Sequence, residues 1–331
     1  MNNMLFIFLI LLILNFLIFI FLIPYLKKIK FGQSIRKEGP KTHYSKSGTP
    51  TMGGIGIIIG TLINFIVLIG YFHKRELIIF NQYEIREILI LILPFILYGI
   101  IGFIDDYLIV IKHNNQGLSA KMKFILQLII GTIVYIIYLD LGFDNYINFF
   151  GVKVDLLFGY GVLVVLLYVG FSNATNLTDG LDGLLAGCSI IVFITYLIIS
   201  LLFENYLTFI FSLSFICILV SYLFFNLPKA CVFMGDVGSL SIGAAIVSVS
   251  ILLKIEVMLL LLGFVFVIET LSVILQVWFF KKTKGSRLFK MTPLHHHFEI
   301  NGFNDWEINL IFWMIEIVSC LIGGGIICKM W

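Results

Sequence analysis

The sequence predicts an all-α integral membrane protein with ten transmembrane helices. Hydrophobic residues make up 60% of the 331 residues and charged residues only 12%. With a mean hydropathy of +1.07, this composition excludes an ordinary soluble domain. The apolar residues fall into long runs, and a helix needs about 20 such residues to cross a bilayer. Alternation over segments of about 10 residues, which marks a membrane β-barrel, is absent.

Ten apolar runs follow one another along the chain. The first has no basic residue before it and no small-residue cleavage site, so we predict a span and not a removable signal peptide. No segment between the runs is long and polar enough for a soluble domain, which predicts a single membrane domain over residues 1–331. The runs are Leu5 to Leu26, Ile55 to Tyr71, Ile88 to Ile104, Phe124 to Leu139, Leu156 to Phe171, Leu184 to Phe203, Tyr206 to Phe225, Val237 to Leu253, Met258 to Phe280 and Ile308 to Ile327.

The basic residues predict how the helices are oriented. All but six of the 22 Lys and Arg residues lie in the odd-numbered connections between runs. By the positive-inside rule, these connections face the cytoplasm and both termini lie outside. This bias also suits contact with anionic membrane lipids. The six exceptions are Lys74, Arg75, Arg86, Lys153, Lys254 and Lys329.

Short polar islands interrupt the apolar pattern at every second connection. Because alternate connections face the same side of the membrane, residues far apart in sequence are predicted to meet at one site on the cytoplasmic face. Titratable side chains gathered in this way are typical of an integral-membrane enzyme. The islands contain Asp105, Asp106, Asp179, Asp182 and Asp236, together with His295, His296 and His297.

Asp105 and Asp106 give the sharpest signal. They are predicted to close the third helix, where carboxylates oppose the helix dipole at a cost of roughly 0.3–1 kcal/mol each and repel one another. This placement predicts a nearby cation. Neighbouring helical side chains point about 100° apart, so one carboxylate would hold a metal and the other would face a reacting group. A solvated helix end is the alternative.

The seventh connection carries a third acid. Asp236 is predicted to open the eighth helix with glycine on both sides, which leaves room for a phosphate or a metal. Phe233, just before it, either stacks on a base or faces lipid. Asn226 lies at the start of the same connection.

The fifth connection is ambiguous. Thr178 is predicted to cap the sixth helix, which would put Asp179 and Asp182 on one face of its first turn. Acids in a first turn stabilise a helix in any case, so capping alone is an alternative to substrate contact. Asn173 and Asn176 share this spacing and offer neutral hydrogen bonds to a nucleoside or sugar.

The first and ninth connections predict phosphate contacts. Lys46 and Thr51 precede the N-terminus of the second helix, whose free N–H groups and dipole favour phosphate; an ordinary basic loop is the alternative. Three consecutive histidines at 295–297 cannot all face one zinc ion in regular structure. We therefore predict hydrogen bonds from them to phosphate oxygens, with an interfacial polar turn as the alternative.

Five of these segments occur in an order that identifies a family. They are Gly48-Thr-Pro-Thr-Met-Gly-Gly54, Asp105-Asp106-Tyr107, Asn176-Leu-Thr-Asp-Gly-Leu-Asp-Gly183, Phe233-Met-Gly-Asp-Val-Gly-Ser239 and Pro293-Leu-His-His-His-Phe-Glu299. Over nearly its full length the chain resembles the phospho-N-acetylmuramoyl-pentapeptide transferases of bacterial wall synthesis. These belong to the polyprenyl-phosphate N-acetylhexosamine-1-phosphate transferase superfamily.

The resemblance implies transfer of phospho-MurNAc-pentapeptide from UDP to undecaprenyl phosphate, giving lipid I and UMP, with Mg²⁺, in the bacterial plasma (inner) membrane. It implies Asp236 as metal ligand, Asp105 and Asp106 at the lipid phosphate, and His295 beside the diphosphate. UDP-MurNAc-pentapeptide, undecaprenyl phosphate and membrane lipids are the implied partners; no nucleic acid is expected, and a homodimer is left open. The implied substrate-binding positions are Lys46, Thr51, Lys121, Asn176, Asp179, Asn226, Phe233, Gln276 and His296.

The chain departs from the family pattern at two positions, and two other functions stay open. Ile109 stands where many relatives have lysine, with Lys112 one turn further on, and Thr292 replaces a common alanine. A polyprenyl-phosphate GlcNAc-1-phosphate transferase would share the metal chemistry. A membrane transporter is the other rival, because Glu269 and Glu316 lie well inside the ninth and tenth runs. For Glu269, satisfying a break in its own helix is a further interpretation.

Overall fold

Helices make up most of the structure, a computed structural model that describes residues 2–29, 48–112 and 117–330. Within these ranges, ten helices are long and apolar enough to cross a membrane, which confirms the predicted fold class. Two further helices, α9 and α11, are short. The helices are α1 (Asn2–Lys28), α2 (Gly54–Lys74), α3 (Gln82–Lys112), α4 (Ala120–Asp140), α5 (Phe158–Thr178), α6 (Leu184–Leu202), α7 (Tyr206–Asn226), α8 (Gly235–Leu252), α9 (Leu259–Leu262), α10 (Phe264–Lys282), α11 (Leu294–Ile300) and α12 (Asp305–Met330).

The most buried helices lie at the centre of the bundle. In α7 and α8, 83% of the most apolar 18-residue window is buried, against 22% in α1, α4 and α10. The central helix α8 packs against α3 on one side and α5 on the other. Its first turn carries Asp236, so a carboxylate stands at one end of the best-protected element.

Two predicted helix ends are wrong. α3 does not close at Asp105 and Asp106 but continues to Lys112, so the pair lies inside the helix and beyond the strongest part of its dipole. Thr178 does not cap α6 either; it ends α5, and its hydroxyl donates to the carbonyl of Ala174 at 2.8 Å. Gly183 precedes α6 with φ of 85°, a left-handed conformation that favours glycine.

The ninth apolar run is broken at Gly263. The short helix α9 precedes this residue and α10 follows it. The carboxylate of Glu316 on α12 accepts a hydrogen bond from the backbone N–H of Val265, at 2.8 Å. The helix start inside the membrane is therefore satisfied by Glu316 and not by Glu269, which makes other contacts.

A polar cluster closes the end of the bundle opposite to Asp236. Lys254, just after α8, donates to the hydroxyl of Tyr160 at 3.1 Å and to the carbonyl of Asp144 at 2.7 Å. The hydroxyl of Tyr160 donates to Glu256 at 2.6 Å. These contacts fix the connection between α4 and α5, which contains an antiparallel hairpin of β1 (Tyr146–Phe149) and β2 (Val152–Asp155).

Burial raises the pKa of Glu256 to about 7 and lowers that of Lys254 to about 8.

The raised pKa of Glu256 predicts a pH-dependent stability. Between about pH 4.5 and 7 the folded chain holds a proton that the unfolded chain has lost, so stability falls as pH rises through this window, by at most about 3 kcal/mol. Lys254 stays protonated in both states below pH 7 and adds nothing there. We measure the thermal unfolding midpoint in detergent at pH 5, 6 and 7. We expect this midpoint to fall less with rising pH in Glu256→Gln than in the wild type. Glu204→Gln, which removes an exposed carboxylate at the same end, should keep the wild-type slope; an unchanged slope in Glu256→Gln would contradict the assignment.

Candidate active site

Three carboxylates from two helices form the centre of the site. Asp105 and Asp106 on α3 and Asp236 on α8 each offer an oxygen, and these oxygens all lie within 4.8 Å of one another. The two α3 residues are buried, while Asp236 is partly exposed. The structure thus brings together three of the four residues that the resemblance implies for catalysis, all except His295.

Glycine allows α3 and α8 to approach closely enough for this geometry. A Cβ atom at Gly102 would overlap the backbone carbonyl of Asp236, and one at Gly235 would overlap the carboxylate of Asp106. At this distance the backbone N–H of Val237 donates to Asp106 at 3.2 Å. The N-terminus of α8 therefore stabilises a carboxylate from the neighbouring helix.

Lys123 on α4 is a site residue that the sequence interpretation missed. Its ammonium group lies 2.5 Å from the carboxylate of Asp236 and 3.1 Å from that of Asp105. The implied basic residue, Lys121, has an exposed side chain. Residues two apart on a helix point about 200° apart, so only one of the two lysines can face the carboxylates, and the sequence did not reveal which one.

The end of α5 and its connection to α6 add a second layer of polar groups. The amide of Asn176 donates to Asp236 at 2.7 Å and to the hydroxyl of Ser239 at 2.9 Å, so it orients the α8 carboxylate. Burial, followed by the negative charges of Asp236 and Asp106, raises the pKa of Asp179 well above its usual range. A group in this environment favours its neutral form.

Asp182 has a structural role in the same connection. Its carboxylate accepts from the backbone N–H of Ala230 at 3.2 Å, and its backbone carbonyl accepts from Asn309 at 2.8 Å. Because Thr178 ends α5, neither Asp179 nor Asp182 lies in the first turn of α6, and the capping interpretation is wrong for both.

The first and seventh connections run side by side. The backbone N–H of Gly53 donates to Phe233 at 2.9 Å, and that of Gly54 donates to Met234 at 2.9 Å. These two N–H groups at the start of α2 are already bonded, so the prediction that they are free to bind phosphate is wrong. Thr51 is nonetheless buried beside Gly235, close to the carboxylates, and Phe233 is half-buried at the rim.

Two of the implied substrate-binding amides hold backbone segments in place. Asn226 accepts from the N–H of Gly183 at 2.9 Å and donates to the carbonyl of Val232 at 3.0 Å. Gln276 on α10 accepts from the N–H of Phe289 at 2.9 Å and donates to its carbonyl at 3.0 Å. Lys46 and the side chain of Lys112 lie outside the described residues.

The three histidines have three different environments. They begin α11 and do not form a polar turn. His295 is fully buried, at 0% exposure. His296 pairs with Glu299 at 2.6 Å, and the ring of His297 accepts from the N–H of Lys290 at 3.1 Å. The ring of His295 packs against Gly180, in the connection between α5 and α6.

The oxygen ligands at this centre fit a divalent cation. Carboxylate oxygens are the donors that Mg²⁺ prefers, and Asp105, Asp106 and Asp236 supply three. Among the described residues, Lys123 is the one ammonium group paired with these carboxylates, and a single positive charge cannot balance three negative ones. The arrangement is thus suited to binding a metal ion and a phosphate group at the boundary of the membrane.

Comparison with known proteins identifies the family. The profile described as glycosyl transferase family 4 matches residues 88–254. The phospho-N-acetylmuramoyl-pentapeptide-transferase of Staphylococcus epidermidis (strain ATCC 12228) is 45% identical over 317 residues, which cover 94% of this chain and 95% of the relative. The chain belongs to the phospho-N-acetylmuramoyl-pentapeptide-transferase family.

Further members of the family support the same assignment. The enzyme of that name from Staphylococcus carnosus is 46% identical, over 91% of this chain and 92% of its own length. That from Bacillus velezensis is 44% identical, over 91% of both chains. The resemblance carried by the five motifs is confirmed, and the transporter alternative is excluded.

The glycine at the α3–α8 crossing gives a stability prediction. We expect Gly102→Ala to lower the thermal unfolding midpoint, because its Cβ has no room and overpacking costs about 1–3 kcal/mol. Gly70→Ala on α2 is the matched control, since a Cβ there meets nothing within 4 Å and alanine favours a helix. If both variants unfold at the wild-type temperature, α3 and α8 do not pack as closely at Gly102 as the structure shows.

Proposed function

We propose that the chain transfers phospho-MurNAc-pentapeptide from UDP-MurNAc-pentapeptide to undecaprenyl phosphate, producing lipid I and UMP. The observation that carries this proposal is the cluster of three carboxylates at one end of a ten-helix membrane bundle. Relatives about 45% identical over more than nine-tenths of the chain bear the name of this activity. A nucleotide-sugar donor and a lipid acceptor are its two substrates.

The reaction requires two anions to approach each other. An oxygen of the lipid phosphate would attack the β-phosphorus of the UDP-sugar; the bond from that phosphorus to the bridging oxygen breaks, and UMP leaves. Because the lipid phosphate is already largely ionised near pH 7, no strong base is needed. The protein mainly neutralises charge and aligns the reacting groups.

Each residue of the centre has a proposed part in this task. Asp236, with Asp105 and Asp106, would hold Mg²⁺, which when bound would neutralise charge on the diphosphate. Lys123 would contact the phosphates directly through its ammonium group. Asn176 would hold Asp236 in orientation, and one carboxylate of the α3 pair would orient the lipid phosphate.

The orientation in the membrane belongs to the same proposal. The lysine and arginine distribution favours a cytoplasmic site and external termini in the bacterial plasma membrane. A cytoplasmic site has access to a soluble nucleotide sugar, while the surrounding helices have access to lipid. We therefore propose that donor and acceptor reach the carboxylates from different phases.

The donor sugar tests the proposal most directly. We expect Mg²⁺-dependent UMP release with UDP-MurNAc-pentapeptide and undecaprenyl phosphate, and none with UDP-GlcNAc. Asp236→Asn should lower kcat by roughly 1,000-fold, about 4 kcal/mol, because it removes both a metal ligand and the partner of Lys123. UMP release from UDP-GlcNAc alone would instead support the GlcNAc-1-phosphate transferase. A phospho-sugar trapped on the enzyme without lipid acceptor would replace direct attack with a covalent route.

The two lysines of α4 provide a matched pair. Lys123→Gln should lower kcat/KM for UMP release by about 100-fold, about 2.7 kcal/mol, because its charge lies against Asp105 and Asp236. Lys121→Gln should stay within about threefold of wild type, since that side chain is exposed. The reverse ranking of the two variants would reject the role given to Lys123.

A further inference from the structure

Glu269 is a buried carboxylate without a part in the proposed reaction. It lies on α10, and its side chain is fully buried at 0% exposure, as is that of His295 on α11. The Nδ1 atom of His295 lies 3.3 Å from Oε2 of Glu269, an ion-pair distance whose geometry falls short of a hydrogen bond. The backbone N–H of His295 donates to Oε1 at 3.3 Å. One carboxylate thus contacts both the ring and the backbone of a single residue.

The other ring nitrogen of His295 lies against the connection between α5 and α6. Nε2 is buried and has no hydrogen-bond partner among the described residues. It is directed at Gly180, where an added Cβ would overlap it. Gly180 follows Asp179, and the carboxylate of Asp179 interacts electrostatically with Asp236 and Asp106. An unpartnered nitrogen therefore packs against the chain neighbour of a carboxylate that interacts with the centre.

We propose that Glu269 is a positioning residue that sets the ring of His295 so that Nε2 meets a phosphate oxygen of the donor substrate. This inference rests on the proposed function, because it assumes that the diphosphate binds beside His295. A carboxylate at Nδ1 keeps a proton on that nitrogen and fixes the orientation of the ring. With a proton on each ring nitrogen, Nε2 donates to the phosphate oxygen while Nδ1 faces the carboxylate of Glu269.

The charge of Glu269 distinguishes positioning from plain packing. The backbone N–H of His295 needs only an acceptor, which the amide oxygen of glutamine supplies equally well. The contact to the ring is different, because a carboxylate holds a proton on Nδ1 more strongly than an amide does. Glu269→Gln therefore keeps the backbone contact and weakens only the contact to the ring.

The experiment compares steady-state UMP release by four variants of the full chain. We expect Glu269→Gln to lower kcat about tenfold or more, while KM for UDP-MurNAc-pentapeptide changes less than about threefold. Gly180→Ala presses on the same ring from the opposite side and should lower kcat similarly. In a double-mutant cycle, Glu269→Gln added to His295→Asn should slow the enzyme no further.

Glu316→Gln is the matched control. Glu316 is also fully buried and accepts a backbone hydrogen bond at the start of the same helix, but it does not contact His295. Its kcat should stay within about threefold of wild type, whatever its effect on thermal stability. A comparable loss of kcat in both glutamate variants would assign Glu269 a structural role and overturn the proposal.

Two further outcomes separate this inference from the proposed function. Independent, multiplicative effects of Glu269→Gln and His295→Asn on kcat would overturn the positioning role while UMP release by wild type still stands. Wild-type kcat in His295→Asn, with activity lost in Asp236→Asn, would do the same. Absence of UMP release from wild type would instead reject the proposed function itself.

Discussion

The backbone contact between α3 and α8 determines where the acidic groups of this protein stand. Packed helices are usually 8–10 Å apart, and Gly102 and Gly235 allow a closer approach at the end that carries the carboxylates. Two consecutive residues of α3 therefore reach the first turn of α8. The N–H of Val237 can then bond a carboxylate from the neighbouring helix. Without this contact, the two acids of α3 and the acid of α8 would not form one cluster.

Bringing three carboxylates together in a partly buried place is electrostatically unfavourable unless cations compensate. Lys123 supplies one positive charge from α4, and Asn176 supplies a neutral donor from α5. Burial and the charges of the other acids raise the pKa of Asp179. Such an arrangement favours binding of a further cation beside the carboxylates.

The sequence predicted the parts of this site that depend on topology. Alternate connections face one side, so the islands around residues 105, 179, 236 and 295 were expected together, and ten helices follow from run length alone. Local geometry was harder to predict. The residues after Asp106 are still largely apolar, and packing extends α3 to Lys112. An amide such as Gln276 can bind a ligand or a backbone segment with the same atoms, and only the fold decides between them.

The two glutamates inside the spans illustrate this difference between pattern and structure. Charged residues within a membrane usually mark a transport pathway, and the sequence alone allowed that interpretation for Glu269 and Glu316. In the structure each carboxylate serves a neighbouring segment of the chain: one bonds the backbone at the start of α10, and the other contacts the ring and backbone of His295. Glu316 thus satisfies the start of a helix, whereas Glu269 holds the segment that carries the three histidines. A carboxylate deep in a membrane enzyme can therefore serve the chemistry at the surface by fixing the elements that reach it.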